Sequence, residues 1–95
     1  MQREILKADG TSTLLAAPTT FERVCEALGN AIPFTVRLPD GWVMLGDDNA
    51  IAKRLPVNEA ATKLYHSVCK PGTTHQIRGN VVVTLESDFG DGDDF

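Results

Sequence analysis

Four consecutive apolar residues, Trp42-Val43-Met44-Leu45, stand between two turn signals, Pro39-Asp40-Gly41 and Gly46-Asp47-Asp48-Asn49. A segment so short and so sharply bounded reads as a strand. Strand side chains alternate between faces, so an unbroken apolar run needs cover on both. The chain has 95 residues, enough for one domain with one modest core. Whatever surrounds residues 42–45 must therefore come from most of the remaining chain.

The flanking pattern supplies that cover. Arg3 to Ala8 and Thr11 to Ala17 read as two strands joined at Asp9-Gly10, a type I′ hairpin signal. Thr19-Thr20-Phe21-Glu22 has capping-box spacing, with Thr19 as N-cap. Phe21, Val24, Cys25 and Leu28 then recur on one helical face, and Gly29-Asn30 supplies a left-handed stop. Ala31 to Leu38 alternates as a strand, and Pro33, which cannot donate to a ladder, means that it lies at a sheet edge or enters the sheet late. Ala50 to Ala52 reads as a short optional strand. Asn58 is the natural N-cap of a second helix whose stripe is Ala61, Leu64, Tyr65 and Val68. Thr74 to Leu85 reads as the longest strand, with a bulge or close backbone contact at Gly79.

The order β-β-α-β-β-(β)-α-β is dominated by hairpins. It predicts an α+β fold: a small antiparallel or mixed sheet of five to six strands, with both helices packed on one face. The expected domain spans residues 1–85.

One set of residues resembles a known pattern. It runs Leu28-Gly29-Asn30-Ala31-Ile32, Leu38-Pro39-Asp40-Gly41, Leu55-Pro56-Val57-Asn58-Glu59-Ala60-Ala61-Thr62 and Ile77-Arg78-Gly79. It is similar to an uncharacterised family of short phage and mobile-element proteins, whose most specific mark is Leu-Pro-x-Asn-x-x-Ala-Thr. The chain departs from it at Asn30, where a second Gly is usual, and at Asn49-Ala50, where an acidic residue and Gly are usual. The resemblance implies a phage or mobile-element origin, and with it a host-cell cytoplasmic location; it implies no activity.

Charge separates the two ends of the chain. The net charge is −4, but Glu86 to Phe95 hold five acids and no base, leaving residues 1–85 at +1. Residues 86–95 are expected to be a flexible acidic tail. That tail resembles the acidic, Phe-ended tips of single-stranded DNA-binding proteins, which dock on partner proteins. The resemblance implies a protein partner with a basic apolar pocket, engaged by Asp91, Asp93, Asp94, Phe95 and Phe89. The simpler reading is a solubilising end. In that case an interface belongs on the body, near Asp47, Asn49, Lys53 and Arg54.

Residues that could carry chemistry are few. His66, Cys69 and His75 supply one close ligand pair where a structural zinc site needs two, so no metal or cofactor is expected. Cys25 and Cys69 sit in helical stripes and read as buried thiols. Asp47 and Asp48 belong to a turn, which offers no substrate pocket between them. Trp42 with Arg37, Lys53 and Arg54 is the nucleic-acid candidate, an aromatic that could stack a base among cations. Against it stand the apolar strand around Trp42 and the weak body charge. No apolar run approaches the roughly 20 residues of a membrane span, and no signal peptide is evident, so the expected location is cytoplasmic. The expected function is a non-enzymatic accessory protein that binds another protein. The alternative is a small single-stranded nucleic-acid-binding protein.

Overall fold

The hairpin signals build a five-stranded antiparallel sheet in a computed structural model that describes residues 1–16 and 18–89. Its elements are β1 (Glu4–Leu6), β2 (Ser12–Leu14), α1 (Phe21–Ala27), β3 (Pro33–Arg37), β4 (Trp42–Asp47), α2 (Glu59–Ser67) and β5 (Val81–Leu85). The spatial order is β2-β1-β5-β4-β3, so β5 lies between the two hairpins. The α+β class and the antiparallel sheet follow the sequence reading. Pro33 stands on an edge strand, as its missing N–H requires.

The helices do not share a face. Val24 of α1 packs with Val43, Leu45 and Val82, whereas Ala61 of α2 packs with Met44, Val81 and Val83. Residues 43 and 44 project to opposite sides of β4, and residues 82 and 83 to opposite sides of β5. The expectation of one covered face is thus corrected: α1 covers one face and α2 the other. The apolar runs in β4 and β5 demand this arrangement, and residues 43–47 and 81–84 are buried throughout.

Several boundaries move for identifiable reasons. The first hairpin is not a type I′ turn, because only Gly10 of the Asp9-Gly10 pair takes positive φ (94°). Gly10 N–H donates to the Lys7 carbonyl and Lys7 N–H to the Thr11 carbonyl, giving a three-residue loop with a bulge at glycine. The α1 N-cap is Thr20, whose hydroxyl accepts from Arg23 N–H at 3.2 Å. This places Arg23, not Glu22, three residues after the cap, so the capping box does not form. Ala50 to Ala52 is a succession of turns, not a strand. The expected long strand is confined to Val81–Leu85, preceded by a loop that touches Val57 through one bridge at Arg78.

The Leu-Pro-x-Asn-x-x-Ala-Thr segment is a structural junction. Asn58 is fully buried and caps α2, its Oδ1 accepting from Ala61 N–H at 3.0 Å. Its Nδ2 donates to the carbonyls of Leu6 and Gly79, each at 2.9 Å. One side chain thereby ties α2 to β1 and to the entry of β5. Thr62 Oγ1 donates to the Asn58 carbonyl at 2.8 Å and accepts from Ile77 N–H at 2.9 Å. Gly79 is left-handed (φ 79°), and a Cβ there would stand 2.8 Å from Leu55 Cδ1. Asn58, Ala61 and Thr62 of the motif are used internally, whereas Pro56 is exposed and contributes its carbonyl, which accepts from Gly79 N–H at 2.8 Å.

Burial continues past Leu85. Residues Glu86–Phe89 form a 3-10 turn; Asp88 accepts from Arg3, and Phe89 packs on the α1-side core. The boundary expected at Leu85 is therefore displaced, because a carboxylate and a ring beyond it both find partners on the body.

Candidate functional site

The β3–β4 hairpin and α2 leave an open wedge between them. Phe34 and Val36 of β3 form its floor, Tyr65 of α2 and Ile77 its wall, and Ile51 its lip; the space is about 240 Å³. Asp48, His75 and Arg78 stand at the rim.

The turn after β4 holds the lip in place. Asp47 closes β4 with its side chain only 4% exposed, accepting from Lys53 Nζ at 2.7 Å and Asn49 N–H at 2.8 Å. Burial pushes the Asp47 carboxyl upward, but the hydrogen bonds from Lys53 and Asn49 and the Lys53 charge outweigh it, and the group lies below its ordinary value. Around that anchor, Lys53 N–H donates to the Asn49 carbonyl, Arg54 N–H to Ile51 and Leu55 N–H to Ala50. Arg54 completes the winding in a left-handed conformation (φ 56°). The coil leaves Ile51 66% exposed.

The opposite rim is the loop before β5. His66 Nε2 lies 2.6 Å from the His75 carbonyl; a carbonyl can only accept, so this nitrogen carries the proton. The His75 ring meets Tyr65 edge-on at 5.8 Å. Hydrogen bonding to Cys69, then its charge, then burial push the Tyr65 phenol above its ordinary value. Arg78 Nη1 donates to the Leu55 carbonyl at 3.2 Å. Ile32 stands just before β3, 74% exposed, with its carbonyl accepting from Asp48 N–H. In the extended register it falls on the face of Phe34 and Val36.

The arrangement offers an apolar floor, two exposed isoleucines and a mixed polar rim. Asp47 is committed to Lys53, and Asp48 is in none of the three ion pairs among the described residues. No group of three or more His, Cys, Asp or Glu converges as a metal site among the described residues. Cys25 and Cys69 are free and half-buried, not fully buried as their stripes suggested, since Val24 and Ala61 take the innermost helix positions.

The nucleic-acid candidates are not brought together. Trp42 packs partly buried on the α2-side core, while Arg37, opposite Val43, faces the α1 side. Arg37 pairs with Glu86 at 3.6 Å. Lys53 binds Asp47 at the far end of β4 from Trp42, and Arg54 sits on the same coil. Of the tail candidates, Phe89 is placed: its ring meets Phe21 edge-on at 5.9 Å. Asp91, Asp93, Asp94 and Phe95 lie outside the described residues.

Sequence reasoning missed Ile51, Tyr65, His75 and Arg78 as a group. The one available signal was an isoleucine inside a turn-rich stretch, Asp47-Asp48-Asn49-Ala50-Ile51, which pattern reading converted into a strand. No family model, no curated protein and no solved structure matches the chain. No helix among the described residues is long and apolar enough to cross a membrane.

Proposed function

We propose that the chain is a non-enzymatic accessory protein of phage or mobile-element type that acts by binding another protein. Its docking surface is the wedge between β3 and α2. The observation that carries this reading is the exposure of Ile51 at the lip of a cleft floored by Phe34 and Val36. Contiguous exposed apolar surface rimmed by polar groups is what an interaction site looks like on a small domain. The partner presents an apolar side chain for the floor and a basic one beside it for Asp48. The acidic, Phe-ended segment is a second docking element, steering a basic partner from a distance.

The test is a pull-down from cells that make the protein, with the parent chain, Ile51→Asp and a chain ending at Phe89. A stoichiometric partner held by the parent and the shortened chain, and lost from Ile51→Asp, supports the wedge. A partner held by Ile51→Asp and lost on shortening places the interface on the acidic segment instead. Single-stranded DNA recovered at moderate salt in place of protein would overturn both.

A further inference from the structure

The sheet has one long open edge, β3. In the antiparallel β3–β4 ladder, residues pair so that Phe34 faces Gly46 and Val36 faces Met44. Two bonds flank that ladder: Asp48 N–H to the Ile32 carbonyl at 3.0 Å, and Leu38 N–H to the Trp42 carbonyl at 2.8 Å. Bonded and non-bonded pairs alternate along an antiparallel ladder. Residues 32, 34, 36 and 38 therefore bond inward, and Pro33, Thr35 and Arg37 turn their peptide groups to the open edge. Thr35 and Arg37 each offer an N–H and a carbonyl there, and Pro33 a carbonyl.

We infer that this edge pairs with β3 of a second copy of the chain, antiparallel and centred on Thr35, joining two sheets into one of ten strands. The strand is complementary to itself in the register that overlaps its whole length. Thr35 then faces Thr35 of the second copy and exchanges two hydrogen bonds with it. Arg37 N–H donates to the Pro33 carbonyl at each end, so the missing proline N–H falls at the two ends of the contact. On the α2 side Phe34 faces Val36 of the second copy, an aromatic on a β-branched residue, which is a favourable cross-strand pair. Ile32, exposed in one copy, falls opposite Leu38 of the other.

Charge favours a second copy as the occupant. Edge strands are commonly protected by a lysine, an inward charge or a bulge. Proline and charge on the edge are further protections, and β3 carries one of each, but only at its two ends, Pro33 and Arg37; Phe34, Thr35 and Val36 between them hold no charge, and the two-fold centre is a threonine. The two Arg37 side chains lie at opposite ends of the contact, roughly 13 Å apart along the strand direction, and each is already paired with Glu86. β2, at the other edge, is only three residues long. A single strand pair buries less than the roughly 1,200 Å² of a standard stable interface, so the dimer is a weak one that forms with concentration. Phe34 and Val36 belong to both surfaces, but the backbone pairing runs along the open edge of β3 and needs no occupant in the wedge.

The test is sedimentation velocity on the full chain across a concentration series. The parent should rise from 10.3 kDa toward twice that mass. Thr35 is exposed, so Thr35→Lys and Thr35→Asp should melt close to the parent. Each places like charges at the two-fold centre and should stay at the single-chain mass. Mixing the two variants in equal amounts should restore the double mass. A parent that remains at the single-chain mass up to about 1 mM, a Thr35→Lys chain that associates like the parent, or a mixture that fails to associate would each overturn the pairing. Amide exchange at Thr35 and Arg37, slowing with concentration in the parent alone, gives an independent reading that a change in folding would not imitate.

Discussion

Arg3 and Asp88, at opposite ends of the described chain, form a two-pronged ion pair: Nε and Nη2 of the guanidinium donate to the two carboxylate oxygens at 2.7 and 2.8 Å. The Asp88 side chain is 3% exposed, and Thr84 Oγ1 donates to it as well. The Arg3 hydrogen bonds hold the Asp88 carboxyl below its ordinary value, against the opposing effect of burial. A carboxyl depressed on folding stabilises the fold above its unfolded value, about 4, and that contribution is lost as pH falls through the folded value. Asp88→Asn should therefore lower the melting temperature by several degrees at pH 7. The gap from the parent should narrow as acid is added below about pH 4. Thermal unfolding of both chains over a pH series reads this directly; a gap that stays constant into acid would show that the pair contributes no charge-dependent stability.

Shortening the chain should separate two boundaries. A chain ending at Phe89 keeps Asp88 and the Phe89–Phe21 contact, and should melt near the parent. One ending at Leu85 loses both and uncovers part of the α1-side core, at a cost of about 2 kcal/mol or more from the ring alone. Urea unfolding of the two chains measures the difference.

Asn58→Ala should be among the most damaging single changes. It removes the α2 cap and the side-chain donor to the Leu6 and Gly79 carbonyls, together about 3 kcal/mol. Asn58→Asp keeps the cap acceptor, yet turns a carboxylate oxygen toward those two carbonyls. It should destabilise at least as much at neutral pH and recover partly in acid, when the carboxyl regains a proton to donate. Equal stability of Asn58→Asp and the parent at pH 7 would show that the two donated bonds contribute little.

Gly46→Ala should act on the wedge from beneath. The added Cβ would lie 2.7 Å from Cε2 and Cζ of Phe34 and 3.1 Å from Val81 Cγ1. The ring must move, at a cost of about 1–3 kcal/mol, and the cleft floor moves with it. Phe34→Leu in the same chain should recover part of the loss. A double-mutant cycle in urea gives the coupling, and additive losses would mean that the ring is not what the methyl meets.

Trp42 should report no nucleic acid. Its ring packs on the core cluster of Leu38, Met44 and Val83, away from Arg37, Lys53 and Arg54. Its emission should stay unchanged when single-stranded oligonucleotide is added at physiological salt. Saturable quenching would return weight to the nucleic-acid reading.

The elements with a local cause were legible in the residues. Asn58 caps α2 because an acceptor side chain there meets a free N–H, and Gly29-Asn30 stops α1 because both adopt positive φ. The two-sided cover of Trp42 to Leu45 was also written in the run itself. What was not legible was which element supplies each side, since helix stripes such as Val24 and Ala61 do not name the face they will meet. The wedge was hidden for a related reason. Tyr65 and His75 meet locally across the loop after α2, but Ile51 joins them only in the assembled fold, and no spacing along the chain encodes that. Asp88 and Phe89 were misjudged because their partners, Arg3 and Phe21, lie far upstream.

The position of β5 also governs how the fold is reached. The β1–β2 and β3–β4 hairpins share no strand pairing of their own; only Val81 to Leu85, threaded between them, joins the two. The pairing of Glu4 with Val83 closes nearly the whole described chain into a loop. Such distant closure slows folding, because the entropy of bringing the ends together is spent before the contacts form. During synthesis the ribosome must deliver residues 81–85 before either inner edge is sealed. Until then the edges of β1 and β4 that β5 will cover have no strand beside them, and an uncovered edge is a surface to which another strand can add.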